Sequence, residues 1–246
     1  MTRRLLTTIF ATLLGALVLS DVGFAREANG VEGQRDNRGP RDSETFDKTM
    51  PMPAGGTLRL KTFSGRVKIT GTSGNDLVVH AVRRATKDRL DEIKIEITQS
   101  GSTIEVDANH RLVERRNDNV VETDFEIQVP AKTRLDVKTF SAPVTVSGVN
   151  ASQHLDGFSS EISVEASELA DNTDIDVNTF SGAVRLRLPA SAKGNVEFNT
   201  FSGRFESDLP VTLNTSSRRN FRGALNGGGN GDFRLKTFSG DVTIRK

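Results

Sequence analysis

Few side chains in this sequence could do chemistry, and their spacing argues against most reactions. With no cysteine among 246 residues, thiolate nucleophiles, thiolate metal sites, iron–sulfur clusters and disulfide frameworks are all excluded. Three histidines, His80, His110 and His154, are too few for a histidine-rich metal centre. A β-helical enzyme that cuts polysaccharide needs two carboxylates facing each other on neighbouring turns. The candidates Asp156, Asp174, Asp176, Asp232 and Asp241 are read as standing at scattered offsets relative to the repeat phenylalanines, as solvated strand positions. Ser159 with His154 and Asp156 has the makings of a nucleophilic triad. The same serine recurs as Ser64, Ser141, Ser181, Ser202 and Ser239, however, with no histidine beside it, which marks it as structural.

Two further clusters are considered for binding. Gly227-Gly228-Gly229-Asn230-Gly231-Asp232 approaches the calcium repeat G-G-x-G-x-D, but its register fails by one residue and only one copy is present, so a loop is expected. Arg218, Arg219 and Arg222 around Phe221 make a small basic and aromatic patch able to meet an anionic envelope polymer, with a solvated loop as the simpler reading. The balance of 33 basic and 32 acidic residues supplies no field to draw the chain to nucleic acid. No catalytic, cofactor or metal residue is assigned, and the protein is not expected to be an enzyme.

Residues 1–25 carry the layout of a secretory signal peptide: basic Arg3 and Arg4, an apolar run from Leu5 to Leu19, and small residues at Gly23 and Ala25. The run is shorter than the roughly 20 apolar residues of a membrane span, so cleavage after Ala25 and no remaining span are expected. Residues 26–47 are charged and nearly free of aliphatic side chains, and read as a flexible tether. From residue 48 onward, short alternating runs such as Leu58/Leu60, Val67/Ile69 and Ile104/Val106 predict strands with one buried face. One short turn of helix is expected within 84–93 and another within 164–173.

The strands belong to a repeat. LKTFSGRVKI begins at Leu60, VKTFSAPVTV at Val137, LDGFSSEISV at Leu155, VNTFSGAVRL at Val177, FNTFSGRFES at Phe198 and LKTFSGDVTI at Leu235. Their phenylalanines, Phe63, Phe140, Phe158, Phe180, Phe201 and Phe238, are spaced by 77, 18, 22, 21 and 37 residues. Three intervals near 20 residues fit one turn of a β-solenoid, and the long first gap must hold other structure. Leu58, Leu60 and Thr62 share one parity while Val67 and Ile69 share the other, and the later copies repeat this flip. A strand that keeps facing one core while its parity flips must turn a corner at Phe-Ser-Gly. The prediction is an all-β fold: a parallel β-solenoid-like stack of about 20-residue units, preceded by an antiparallel hairpin or meander portion. Residues 93–97 and 103–106 are expected to form a hairpin within that portion, and 211–217 a degenerate turn of the stack.

The phased T-x-S-G-x-[VI]-x-[VI] units resemble those of the bacterial putative-adhesin family of β-strand-repeat proteins, a domain of unknown function. The segment Thr123 to Pro130 (TDFEIQVP) and the late Gly227-Gly228-Gly229 carry the same resemblance, which covers residues 48–246. It implies an exported, solenoid-like, adhesin-like domain with no accepted catalytic residues. Phenylalanine stands where that family usually has smaller residues.

These readings lead to an exported, periplasmic or extracellular, non-enzymatic module for structure or adhesion in the cell envelope. Its partner would be an envelope polysaccharide or another envelope protein. The alternatives are a polysaccharide-acting β-helix enzyme and a regulatory partner of an envelope-stress system. The six phenylalanines form either a structural spine, bent inward at the corners, or a partly exposed aromatic ladder that touches a ligand. Inward packing is the expectation put first.

Overall fold

The computed structural model describes residues 41–111, 121–170, 172–217 and 219–246. The expected signal peptide and most of the tether lie outside these residues. The first part of the fold comprises β1 (Asp42–Pro51), β2 (Thr57–Thr72), β3 (Asp76–Ala85), α1 (Lys87–Glu92), β4 (Ile93–Ser100), β5 (Thr103–Arg111) and β6 (Glu122–Pro130). Repeat units follow as strand pairs: β7 (Arg134–Ser141) with β8 (Val144–Ser147), β9 (Gln153–Ser159) with β10 (Ile162–Glu165), and β11 (Ile175–Ser181) with β12 (Val184–Arg187). β13 (Gly194–Ser202) and β14 (Phe205–Ser207) form the next unit. The hairpin β15 (Val211–Ser216) and β16 (Asn220–Leu225) comes after it, and β17 (Asp232–Ser239) with β18 (Val242–Arg245) ends the chain. The fold is nearly all β, as the alternation predicts.

Each unit is two short strands meeting at a corner, and the corner explains the parity flip. In β11, Ile175, Val177 and Thr179 are buried; past the corner, β12 buries Val184 and Leu186. The shift of one residue in phase returns both strands to the same interior. Two corners show why glycine is used there. Gly182 sits at φ +149°, and a Cβ on it would lie 2.1 Å from the Ser160 carbonyl oxygen of the neighbouring corner. Gly240 sits at φ +156°, with the Gly182 oxygen equally close. Corners therefore stack backbone on backbone, which only glycine permits at these sites.

First strands and second strands stack separately, in register and in parallel. The first set runs β2, β7, β9, β11, β17, β13, and the second runs β2, β8, β10, β12, β18, β14. The long β2 serves both sets because its chain crosses the corner without a break. Inside lies one continuous core in which Leu60, Val137, Leu155, Val177, Leu235 and Phe198 form one buried column. Each such side chain contributes about 1.5–3 kcal/mol by leaving water.

Stacking does not follow chain order. The last unit, β17 with β18, is inserted between β11/β12 and β13/β14. The cause is the β15–β16 hairpin: β16 runs antiparallel along the outer edge of β13, so the chain returns to the inner edge of that strand. The expected degenerate turn at 211–217 is thus one arm of this hairpin.

The 77-residue gap holds a meander. β4 and β5 pair antiparallel as expected, with Ser100 opposite Thr103 and Gly101 at φ +58° in the turn. β5 lies parallel to the first half of β2, and β6 parallel to its second half. β3 pairs antiparallel with β6 on one side and β1 on the other. The helix expected within 84–93 is α1; the described residues of 164–173 hold the end of β10 and no helix.

The tether ends earlier than expected, because residues 42–47 belong to β1. Phe46 and Met50 pack against the core, and Glu44 Oε2 lies 2.7 Å from Nη1 of Arg83, which is only 2% exposed. Burial pushes the Arg83 guanidinium below its usual range while Glu44 opposes this, and a second nitrogen donates to the Ile93 carbonyl. An unpaired buried guanidinium would be costly, so Arg83 holds β1 in place.

Candidate functional site

The corner does not turn the phenylalanines inward. Thr62, Thr139, Thr179, Thr200 and Thr237 occupy the inward position, and strict alternation sends the next residue out. The six rings are 38–55% exposed, so the expected buried spine is replaced by an external ladder. In spatial order the rings are Phe63, Phe140, Phe158, Phe180, Phe238 and Phe201, with centroids 4.7–4.9 Å apart and planes within 11° of parallel. This spacing is that of the strands themselves. Insertion of the last unit explains why Phe201 stacks on Phe238 and not on Phe180.

Ring spacing limits what the ladder can bind. Two stacked rings under 5 Å apart leave no room for a sugar or base between them. Each inner ring is flanked on both sides, so its exposed surface is mainly rim. The last ring is closed by Arg219, whose guanidinium carbon lies 5.1 Å from the Phe201 centroid.

Two polar columns run beside the ladder on the same face, because residues two and four places earlier share its parity. The nearer column reads Lys61, Lys138, Asp156, Asn178, Lys236, Asn199 in spatial order. Between it and the rings lies an open groove of about 690 Å³ whose lining includes Lys138, Asp156, Asn178, Asn199 and Lys236. The farther column reads Arg59, Asp136, His154, Asp176, Arg234, Glu197, and alternates basic and acidic at every step. It continues to Glu105 at one end and Arg222 at the other without breaking the alternation.

Contacts within this column are short. Arg59 Nε lies 2.8 Å from Asp136 Oδ2, His154 Nδ1 lies 3.5 Å from Asp176 Oδ2, and Arg222 Nη2 lies 3.4 Å from Glu197 Oε1. Lys61 Nζ donates to Glu105 at 2.6 Å. That hydrogen bond, with Arg59 adding to it, holds the Glu105 carboxyl below the usual carboxylate range. Asp136 raises the Arg59 guanidinium in turn.

Of the other residues singled out by sequence, Asp156 and Asp176 both meet His154, and Asp174 Oδ1 accepts from the Asp232 backbone N–H at 3.1 Å; the rest are not brought together. His154 Nε2 meets Asp156 at 3.0 Å, but Ser159 is five residues along the same strand, roughly 15 Å away, and no triad forms. Asp232 bonds to Arg234 at 2.7 Å and to Asn195 at 3.1 Å, and the glycine run before it is the turn into β17. Asp241 bonds to Arg204 at 2.9 Å, which draws its carboxyl down. His80 pairs with Asp47 at 2.6 Å and His110 with Glu96 at 2.8 Å. Among the described residues, no group of three histidine or acidic side chains could hold a metal ion.

The basic and aromatic patch also divides. Arg219 caps the ladder, Arg222 joins the charged column, and Phe221 packs edge-on to Phe205 at 4.7 Å. Arg218 lies outside the described residues. The alternating column itself was missed by sequence reasoning, although its signal is there: one charged residue, or His154, four places before every ladder phenylalanine.

Stacked parallel strand pairs with an exposed side-chain ladder define a β-solenoid-like repeat protein. The model of the Toastrack DUF4097 family matches residues 53–245, and the chain belongs to that family. Among solved structures it is similar to a "putative cell adhesion protein" from Clostridium sporogenes ATCC 15579, with TM-score 0.63 and 11% identity, covering 83% of this chain and 99% of that one. A "putative adhesin" from Bacteroides fragilis NCTC 9343 aligns with TM-score 0.34 and 7% identity, over 82% of this chain and 97% of that one. At these identities the first likeness concerns the fold. No curated protein matches the chain at a significant level. No helix among the described residues is long and apolar enough to cross a membrane.

Proposed function

We propose that the protein is an exported, non-enzymatic binding module of the bacterial cell envelope, adhesion-like in role, whose contact surface is the phenylalanine ladder with its flanking polar columns. The exposed stack of six rings carries this reading. An apolar stripe of that length has no structural need to remain in water, and on a monomer such a stripe marks a contact site. Family membership supports it, as does the fold shared with a structure described as a putative cell adhesion protein. The signal-peptide layout of residues 1–25 supports export. A rigid row of equal sites is suited to many weak contacts made at once.

Attachment tests this. Envelope material is sedimented with the exported chain, and with a variant carrying Phe158→Ser, Phe180→Ser and Phe238→Ser. Ladder-dependent contact predicts that the variant, folded by circular dichroism, loses most of its sedimenting fraction. Equal sedimentation of both proteins refutes the assignment.

A further inference from the structure

The face that carries the ladder has a symmetry that names an occupant. We infer that the ladder of one molecule packs on the ladder of a second copy, antiparallel, about a two-fold axis that runs along the strands between β9 and β11. This inference rests on the contact surface proposed above and identifies its partner.

Charge complementarity carries the argument. Rotation about that axis lays the farther column on its own reverse. Arg59 then faces Glu197, Asp136 faces Arg234, and His154 faces Asp176; Glu105 and Arg222 extend the series. Every pair is acid against base or against His154, and none is like against like. Moving the axis by half a strand spacing, onto β11, puts Asp176 on Asp176, His154 on Arg234 and Asp136 on Glu197, so the columns require an axis between strands. The axis between β9 and β11 is the one that pairs every member from Glu105 to Arg222. In the nearer column Lys61 faces Asn199 and Asp156 faces Asn178. Lys138 meets Lys236, the one like-charged pair, and both are exposed on flexible stems.

The apolar part fits the same partner. The exposed ring surface, taken over six phenylalanines, is on the order of 500 Å², at the upper end of what monomers leave open. With the flanking columns it approaches the roughly 800 Å² per partner of a standard interface. Identical stacked side chains mate as dry zippers between facing sheets about 10 Å apart. Aligned sheet packing is a common arrangement for such faces. Sugar rings need an open aromatic face, which the stack covers at every ring but the terminal Phe63. An anionic bilayer favours a surface of one sign, and here the farther column balances acid against base.

The absence of cysteine allows a direct test. Single variants Lys61→Cys and Asn199→Cys are prepared and treated with a bis-maleimide of about 10 Å reach, matched to the distance between facing sheets. Antiparallel pairing predicts crosslinked dimer when the two variants are mixed, and none from Lys61→Cys alone, whose copies lie at opposite ends of the interface. Sedimentation equilibrium of the unaltered chain predicts a dimer, and Phe158→Ser with Phe180→Ser weakens it about tenfold or more.

A monomer at about 100 µM overturns the inference. So does a dimer indifferent to ring removal, or one that crosslinks Lys61→Cys to itself. A monomer that binds lipid vesicles or envelope material through its rings also overturns it, yet leaves the contact surface standing. A monomer that binds neither removes both readings.

Discussion

Replacing Phe180 with alanine measures the ladder at its middle. The ring is 46% exposed, so roughly half its surface is already out of water. About 100 Å² at 25 cal/mol per Å² gives about 2.5 kcal/mol of burial, part of which the alanine Cβ retains. Loss of stacking on Phe158 and Phe238 adds about 0.5–1.5 kcal/mol. The expected cost is about 2–3 kcal/mol, between a core truncation and a surface change. Phe201→Ala, at the end of the stack and 55% exposed, should cost about half as much. Order in the stack is read by double-mutant cycles. Phe180→Ala with Phe238→Ala should couple by about 1 kcal/mol, since those rings touch. Phe180→Ala with Phe201→Ala should add within about 0.5 kcal/mol, because Phe238 stands between them. Urea unfolding followed by far-ultraviolet circular dichroism serves as the assay, the chain having no tryptophan or tyrosine. Coupling between Phe180 and Phe201, with none between Phe180 and Phe238, would refute the inserted order. A cost above about 4 kcal/mol for Phe180→Ala would show the ring to be core.

Two further substitutions probe the corners and the charged column. Gly182→Ala should cost more than about 2 kcal/mol, since both its φ and the Ser160 oxygen oppose a Cβ; Gly227→Ala, with φ +84° but open space, should cost about 1 kcal/mol. Thermal melts that rank the two the other way would remove the backbone-stacking account of the corner. Glu105→Gln should destabilise by less than about 1 kcal/mol at pH 7. Lys61 and Arg59 hold the Glu105 carboxyl low in the folded state, so its stabilisation is present above the ordinary carboxylate range and disappears as pH falls through the lowered value. The gap between parent and variant should therefore close in acid, and a gap that persists there counts against the ion pair.

The unit was legible in the sequence because its physics is local. Parity of the apolar residues around Thr-Phe-Ser-Gly specified two strands, a corner and a shared interior. The Ile93–Ile97 and Thr103–Val106 runs with Gly101 between them specified a hairpin. Loss of register in the glycine run, and a serine repeated at every corner, removed the calcium and triad readings. The start of β1 was not legible: Glu44 and Asp47 look like tether until Arg83 and His80 supply partners from a strand over thirty residues away.

Composition and period by themselves determined an all-β stack of corner-turning units, because alternation and glycine act within one strand and its turn. Tertiary structure decided the order of the units and the side of the wall on which the rings stand. Chain order would have placed Asp176 against Glu197 in the farther column, two acids directly opposed on adjacent strands. Insertion of β17 sets Arg234 between them and restores the alternation from end to end. Like charges facing across a ladder are destabilising, so the column held a clue to the order. That clue becomes readable only once the β15–β16 hairpin is known to occupy the outer edge of β13. Which strand lies beside which is a property of edges, and edges exist only in the folded molecule.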